Sequence, residues 1–142
     1  MRSHVNLSHI VRTCGCFGIA RVIATGTARL DEKIARDGAD HVVLEVHRSL
    51  PPILDRLRAQ GYEIVGLEQT TGSTPLYTFD FAPRTVLVVG NERAGLEDDV
   101  LCRLDRVAEI PLAGLPHSLN AATSASIAIY EYCRQVPRRA DP

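Results

Sequence analysis

"TVLVVGNERAGLEDD", residues 85–99, decides how the rest of the chain is read. Residues 85–89 form a β-branched apolar run of the kind that fills a buried strand, and Gly90 ends it. A glycine turn after a strand often cradles a phosphate at a helix N-terminus. Here the chemistry is wrong for that. A triphosphate loop needs Lys and then Ser or Thr after its second glycine, whereas Leu96 and Glu97 follow Gly95. A dinucleotide fingerprint needs three glycines spaced G-x-G-x-x-G, which neither "GCFG" nor "GNERAG" supplies. The loop is also acidic. Glu97, Asp98 and Asp99 read as carboxylates favouring the start of a helix. Glu92 lies closer to the strand, where a carboxylate needs hydrogen-bond donors to offset its desolvation.

Working outward, strands and helices alternate. Strands are expected over 21–25, 41–46, 62–68, 85–89 and 106–110, and helices over 31–37, 51–61, 98–104 and 118–135. A first helix carries Leu7, Ile10, Val11 and Cys14 at helical spacing, with Asn6 placed as its N-cap and Gly18 near its stop. Ser118 is the expected N-cap of the last helix, and 70–83, rich in Thr, Gly and Pro, reads as a loop. Such alternation predicts an α/β fold with a parallel sheet flanked by helices. Ligands of such sheets gather at the carboxyl ends of the strands, so the segments after Leu67, Val89 and Ile110 are the place for a site.

The bulk properties exclude several classes. A chain of 142 residues suits one domain, here taken as residues 1–142. No apolar run approaches the ~18 residues of a membrane span, and the N-terminus lacks a secretory apolar stretch, so a cytoplasmic location is expected. Cys14, Cys16, Cys102 and Cys133 contain no C-x-x-C pair, which argues against a metal site. The net charge is -1, so any nucleic acid must be held by a local patch or by a dimer. Lys33 is the only lysine beside fifteen arginines; arginine suits bidentate phosphate contacts, and codon bias explains the excess equally well.

The second unusual segment is "IPLAGLPHSLNAATSASIAIYEY", residues 110–132. Ser118 and Asn120 put polar groups beside the exposed N–H groups of a helix start. Behind them Ala121, Ala122, Ser124, Ala125, Ser126 and Ala128 give a helix with little side-chain bulk, suited to close packing under a loop or against a partner.

Three segments together resemble the SpoU-type, or TrmH-like, RNA ribose 2'-O-methyltransferases of the SPOUT superfamily. "NLSHIVRTCGCFG" (6–18) is similar to the family's first motif through Asn6 and Arg12, "VLVVGNERAGL" (86–96) to its second, and "IPLAGLPHSLNAATSASIAIYE" (110–131) to its third. "ARDGADHVVL" (35–44) and "GLEQT" (66–70) extend the likeness over nearly the whole chain. The resemblance implies a C-terminal trefoil knot, a homodimer, and S-adenosylmethionine bound by Leu67, Glu68, Gly90, Asn91, Ile110, Leu112, Ser118 and Leu119. It implies a catalytic set of Asn6, Arg12, Glu92, Ser118 and Asn120 acting on tRNA or rRNA, with tRNA favoured and no metal. Arg12 is read as a clamp on phosphate and developing alkoxide, since a guanidinium stays protonated and cannot serve as a base. Glu92 is read as a brace of the loop, and His117 as an ordinary loop histidine. Family members carry a strand ahead of the first-motif asparagine; five residues precede Asn6, so that strand is expected to be missing or cut short. Two other readings are a fold-sharing RNA-binding or assembly module without turnover, and a flavodoxin-like nucleotide-binding domain.

Overall fold

The computed structural model describes residues 3–137. In chain order the elements are α1 (His4–Cys16), β1 (Arg21–Thr25), α2 (Glu32–Ala35), α3 (Gly38–His41), β2 (Val43–His47), α4 (Pro51–Ala59), β3 (Glu63–Leu67), β4 (Thr74–Pro75), a 3-10 turn (Leu76–Thr78), β5 (Thr85–Val89), α5 (Asp98–Leu101), β6 (Arg106–Glu109) and α6 (Ala121–Gln135).

All paired strands are parallel, but they form two sheets rather than one. One is the pair β1-β2; the other is four-stranded in the order β4-β6-β3-β5. The central strand β3 is buried at Ile64, Val65, Gly66 and Leu67, as a parallel strand covered on both faces should be. Asp105 starts β6 beside it: its backbone N–H donates to the Ile64 carbonyl and its carboxylate accepts from the Ile64 N–H at 2.7 Å.

Several expectations are corrected. Asn6 is not the N-cap of α1; Ser3 is, accepting from the Asn6 N–H at 3.2 Å, and Asn6 lies inside the helix, 6% exposed. Ser118 does not cap the last helix. Asn120 does, accepting from the N–H groups of Ala122 and Thr123. Within 70–83, Thr74 and Pro75 pair with Ala108 and Glu109 as a short strand, too brief to show a period and headed by a residue type that strands avoid. The helix expected over 31–37 is instead two short ones. They sit against α1 at very close range, because a Cβ at Gly15 would lie 2.8 Å from the Gly38 Cα and one at Gly38 would lie 3.0 Å from the Arg12 Cα. Only glycines permit that backbone-to-backbone crossing.

Three apolar clusters hold the layers together. Leu7, Ile10, Val11 and Cys14 of α1 pack with Ala122, Ala125 and Ile129 of α6. Ile53, Leu54 and Leu57 of α4 cover Ile64 and Val88. Phe79, Phe81 and Leu76 close the opposite flank over Val65, Ala108 and Ala128 of α6. The small residues of α6 let it sit close to α1 and to β3 at once.

Candidate active site

The ends of β3, β5 and β6 and the start of α6 surround a cavity of about 230 Å³. Each wall follows from a local break in regular structure. Past Leu67, Glu68 turns its carboxylate back to accept from the N–H groups of Gln69 at 3.0 Å and Leu96 at 3.3 Å. Past Val89, the loop closes on itself: the backbones of Asn91 and Gly95 exchange both hydrogen bonds, and the Asn91 side chain accepts from the Arg93 N–H at 2.8 Å. Gly90 is required there, since a Cβ would lie 2.6 Å from the Gly95 carbonyl carbon. Past Ile110, the chain crosses the cavity and enters α6 through Asn120.

One buried amide ties the loops together. The Asn6 Nδ2 donates to Glu92 Oε1 at 2.6 Å, and the Asn6 Oδ1 accepts from Asn120 Nδ2 at 3.0 Å. The Oδ1 of Asn120 meanwhile caps α6. A carboxylate from the loop after β5, an amide from α1 and a helix cap thus form one chain of bonds between segments 86 and 114 residues apart. Such linked bonds fix each member's orientation.

All eight residues read as cofactor-binding, Leu67, Glu68, Gly90, Asn91, Ile110, Leu112, Ser118 and Leu119, line this one cavity. Of the residues read as catalytic, Glu92 and Ser118 line it too. Asn6 and Asn120 stand behind its wall in the bond network. Arg12 is not part of it: its exposed side chain belongs to a different face of α1 from the buried Asn6. Sequence reasoning missed Gln69, Val89, Gly95, Ala121 and Ser124 as lining residues. For the last two a signal existed, in the low side-chain bulk of 121–128.

The lining is electrically one-sided. Glu68 and Glu92 are its ionisable members, and no arginine or lysine joins them. Leu67, Ile110, Leu112 and Leu119 supply apolar surface beside exposed loop backbone. A flat heteroaromatic ring carrying a cationic tail fits that donor set, whereas a polyphosphate would face two carboxylates with no counter-charge. Among the described residues no cluster of metal-ligating side chains occurs.

Residues 1–130 match the SpoU rRNA Methylase family. The chain is 32% identical over 139 residues to the 23S rRNA (guanosine-2'-O-)-methyltransferase RlmB of Acinetobacter baylyi, covering 92% of this chain and 55% of that protein. Its fold superposes on the Aquifex aeolicus TrmH/SpoU tRNA modifying enzyme with a TM-score of 0.89 at 29% identity, over 95% of this chain and 71% of that one. The SpoU methyltransferase AviRb from Streptomyces viridochromogenes, solved in complex with AdoMet, gives a TM-score of 0.81 at 30% identity, over 94% of this chain and 56% of that one. The chain spans about half the length of the curated relatives it matches.

Proposed function

The chain belongs to the SpoU rRNA methylase family, and on that footing we propose that it transfers a methyl group from S-adenosylmethionine to a ribose 2'-hydroxyl of RNA, tRNA favoured over rRNA. The observation that carries this reading is the convergence of three segments, 67–69, 89–95 and 110–124, on one cavity whose ionisable lining residues are acidic. When bound, the cofactor supplies an electrophilic methyl on a sulfonium; the ribose oxygen takes that methyl, the sulfur keeps the bonding pair, and the hydroxyl proton leaves to solvent.

What the protein contributes is position. Leu67, Ile110, Leu112 and Leu119 would hold the adenine against loop backbone, and Glu68 and Glu92 would favour the cationic end. The network through Asn6 keeps Glu92 and the start of α6 in fixed relation, so the methyl stays in line with the incoming oxygen. The chain after β6 leaves from between β3 and β4, beside the loop after β5; this supports a C-terminal segment threaded as a trefoil knot.

Arg12 requires a second protomer in this reading. It sits in an exposed stripe of α1 with Val5, His9 and Cys16, while α6 exposes the parallel stripe Thr123, Ile127, Tyr130 and Arg134. Val5 is 49%, Ile127 40% and Tyr130 58% exposed, which supports a homodimer packed on these two helices. That packing would carry Arg12 toward the partner's cavity, where its fork could clamp the phosphate next to the reacting ribose.

Calorimetry with S-adenosylmethionine, followed by mass-spectrometric mapping of 2'-O-methylated nucleotides in tRNA and rRNA treated with the purified chain, tests the proposal. Absence of cofactor binding would refute it, and binding without transfer would favour the RNA-binding module. Near-full turnover of Arg12→Lys on saturating RNA would refute the forked clamp.

A further inference from the structure

A second cavity, of about 350 Å³, separates the two sheets. Its long walls are β1 and β5, each of which is paired on one side only. Leu54 and Leu57 of α4 close one face, and Leu7 and Ile10 of α1 with Ile129 of α6 close the other. The result is a slot between two parallel strands, open along their facing edges and apolar above and below. Val22 and Ile23 of β1, and Val86, Leu87 and Val89 of β5, are only partly buried because they front it. Unpaired strand edges inside an apolar groove leave backbone N–H and C=O groups without ladder partners, an arrangement sheets ordinarily close.

We propose that this slot is a strand acceptor, taking one extended, β-branched apolar segment of about five residues joined directly to the amino end of α1. Length follows from the walls, since β1 and β5 each contribute five residues. Apolarity on both faces follows from the helices on either side. Direction and connection follow from α1. Its first turns lie at the carboxyl edge of the sheets, where Asn6 bonds Glu92 and Asn120, and its far end leads through Gly18 to the amino end of β1. α1 therefore runs as a crossover helix does, and a strand feeding it would end at that same carboxyl edge, parallel to β1 and β5. Ser3, where the chain enters α1, has extended backbone geometry. Two residues precede Ser3 in the 142-residue sequence, fewer than the slot takes. Docking would also steady the cofactor wall, because Val89 lines both cavities.

Amide hydrogen exchange tests this independently of any methyl transfer. The 142-residue chain is compared with two extended forms, one carrying a β-branched apolar pentapeptide and a short turn before Ser3, the other a Gly/Ser extension of equal length. The apolar extension is expected to slow the slot-facing amides of β1 and β5 by roughly 100-fold relative to the Gly/Ser form, with β3 amides protected in both as the sign of an intact fold. Equal exchange in the two extended forms would overturn the proposal. So would protection of those amides in the dilute unextended chain, which would mean that β1 and β5 pair directly. Protection that grows with protein concentration would place a second copy in the slot and overturn the covalent connection. If the extension prevents folding, the same pentapeptide added free to the unextended chain reads the same amides, and no slowing there counts against the slot.

Discussion

Removing the Asn6 amide should loosen the whole site, and the size of the effect can be worked from its contacts. In Asn6→Ala the Glu92 carboxylate loses a donor at 2.6 Å and Asn120 loses an acceptor at 3.0 Å. A hydrogen bond to a charged group contributes about 1.5–3 kcal/mol and a neutral one about 1 kcal/mol. Glu92 and Asn120 are both exposed, so water replaces part of what each loses, and the small void left by a 6% exposed side chain adds little. The expected cost is about 2 kcal/mol, or a fall in Tm of roughly 6 °C for a domain of this size. Thermal denaturation reads the total. A double-mutant cycle of Asn6→Ala with Glu92→Ala isolates the charge-assisted bond, expected to couple the two residues by about 1.5 kcal/mol. A coupling energy of zero would refute the claim that this bond organises the site.

Asn6→Asp sharpens the same test. It keeps an acceptor for Asn120 but sets a second carboxylate against Glu92. Like charges raise the folded-state pKa of such a pair above its unfolded value. Net destabilisation is therefore greatest at neutral pH and is relieved as pH falls through the raised value, when one proton is shared. The Asn6→Asp variant should be less stable than Asn6→Ala at pH 7 and should approach it near pH 5.

Three further outcomes are expected. Gly90→Ala places a methyl 2.6 Å from the Gly95 carbonyl carbon and 2.9 Å from the Leu96 nitrogen, and since both are backbone the loop must move; calorimetry should find cofactor affinity at least tenfold weaker, equivalent to about 1.4 kcal/mol. Asn120→Ala removes the cap of α6 and should cost about 1 kcal/mol in chemical denaturation, whereas Asn120→Asp keeps the capping oxygen and loses the donor to Asn6, so it should retain α6 helicity while weakening the coupling to Glu92. Burial, with Cys133 nearby, pushes the Cys14 thiol up to about 12, so iodoacetamide at pH 8 should label Cys16 and Cys102 and spare Cys14; the stability that the neutral thiol contributes is intact below about 9 and is lost as pH rises toward 12.

The parts of the fold written in local punctuation were legible in the sequence. The strand over 85–89 falls where Pro83 and Gly90 bracket a β-branched run, and α4 falls between a proline pair and Gly61 at φ 87°. What failed was the choice between equivalent local signals. Ser3 and Asn6 are both good caps one turn apart, as are Ser118 and Asn120 two residues apart. Local chemistry does not separate them, because the deciding partners lie elsewhere in the chain: Asn6 is drawn inside the helix by Glu92, and Asn120 is fixed at the cap by Asn6. The split into two sheets was equally hidden, since β1 and β5 each carry the pattern of an interior strand and nothing in either says which neighbour stands beside it.

The cavity-lining residues were legible for a different reason. Each sits just past a strand end or at a helix start, where backbone groups are free to face a ligand, so position in the secondary structure alone marks it. Asn6 has no such mark, and its identity follows only from its two partners. Facing it are an acceptor, the Glu92 carboxylate, and a donor, the Asn120 amide. A side chain that serves both must offer one donor and one acceptor about 2 Å apart on a short stem. Aspartate lacks the donor, serine has a single oxygen that cannot reach both ways, and leucine matches the shape but leaves both neighbours unpaired. Asparagine meets the requirement, and by meeting it sets where Glu92 stands relative to the start of α6, which is the spacing of the cavity's two ends.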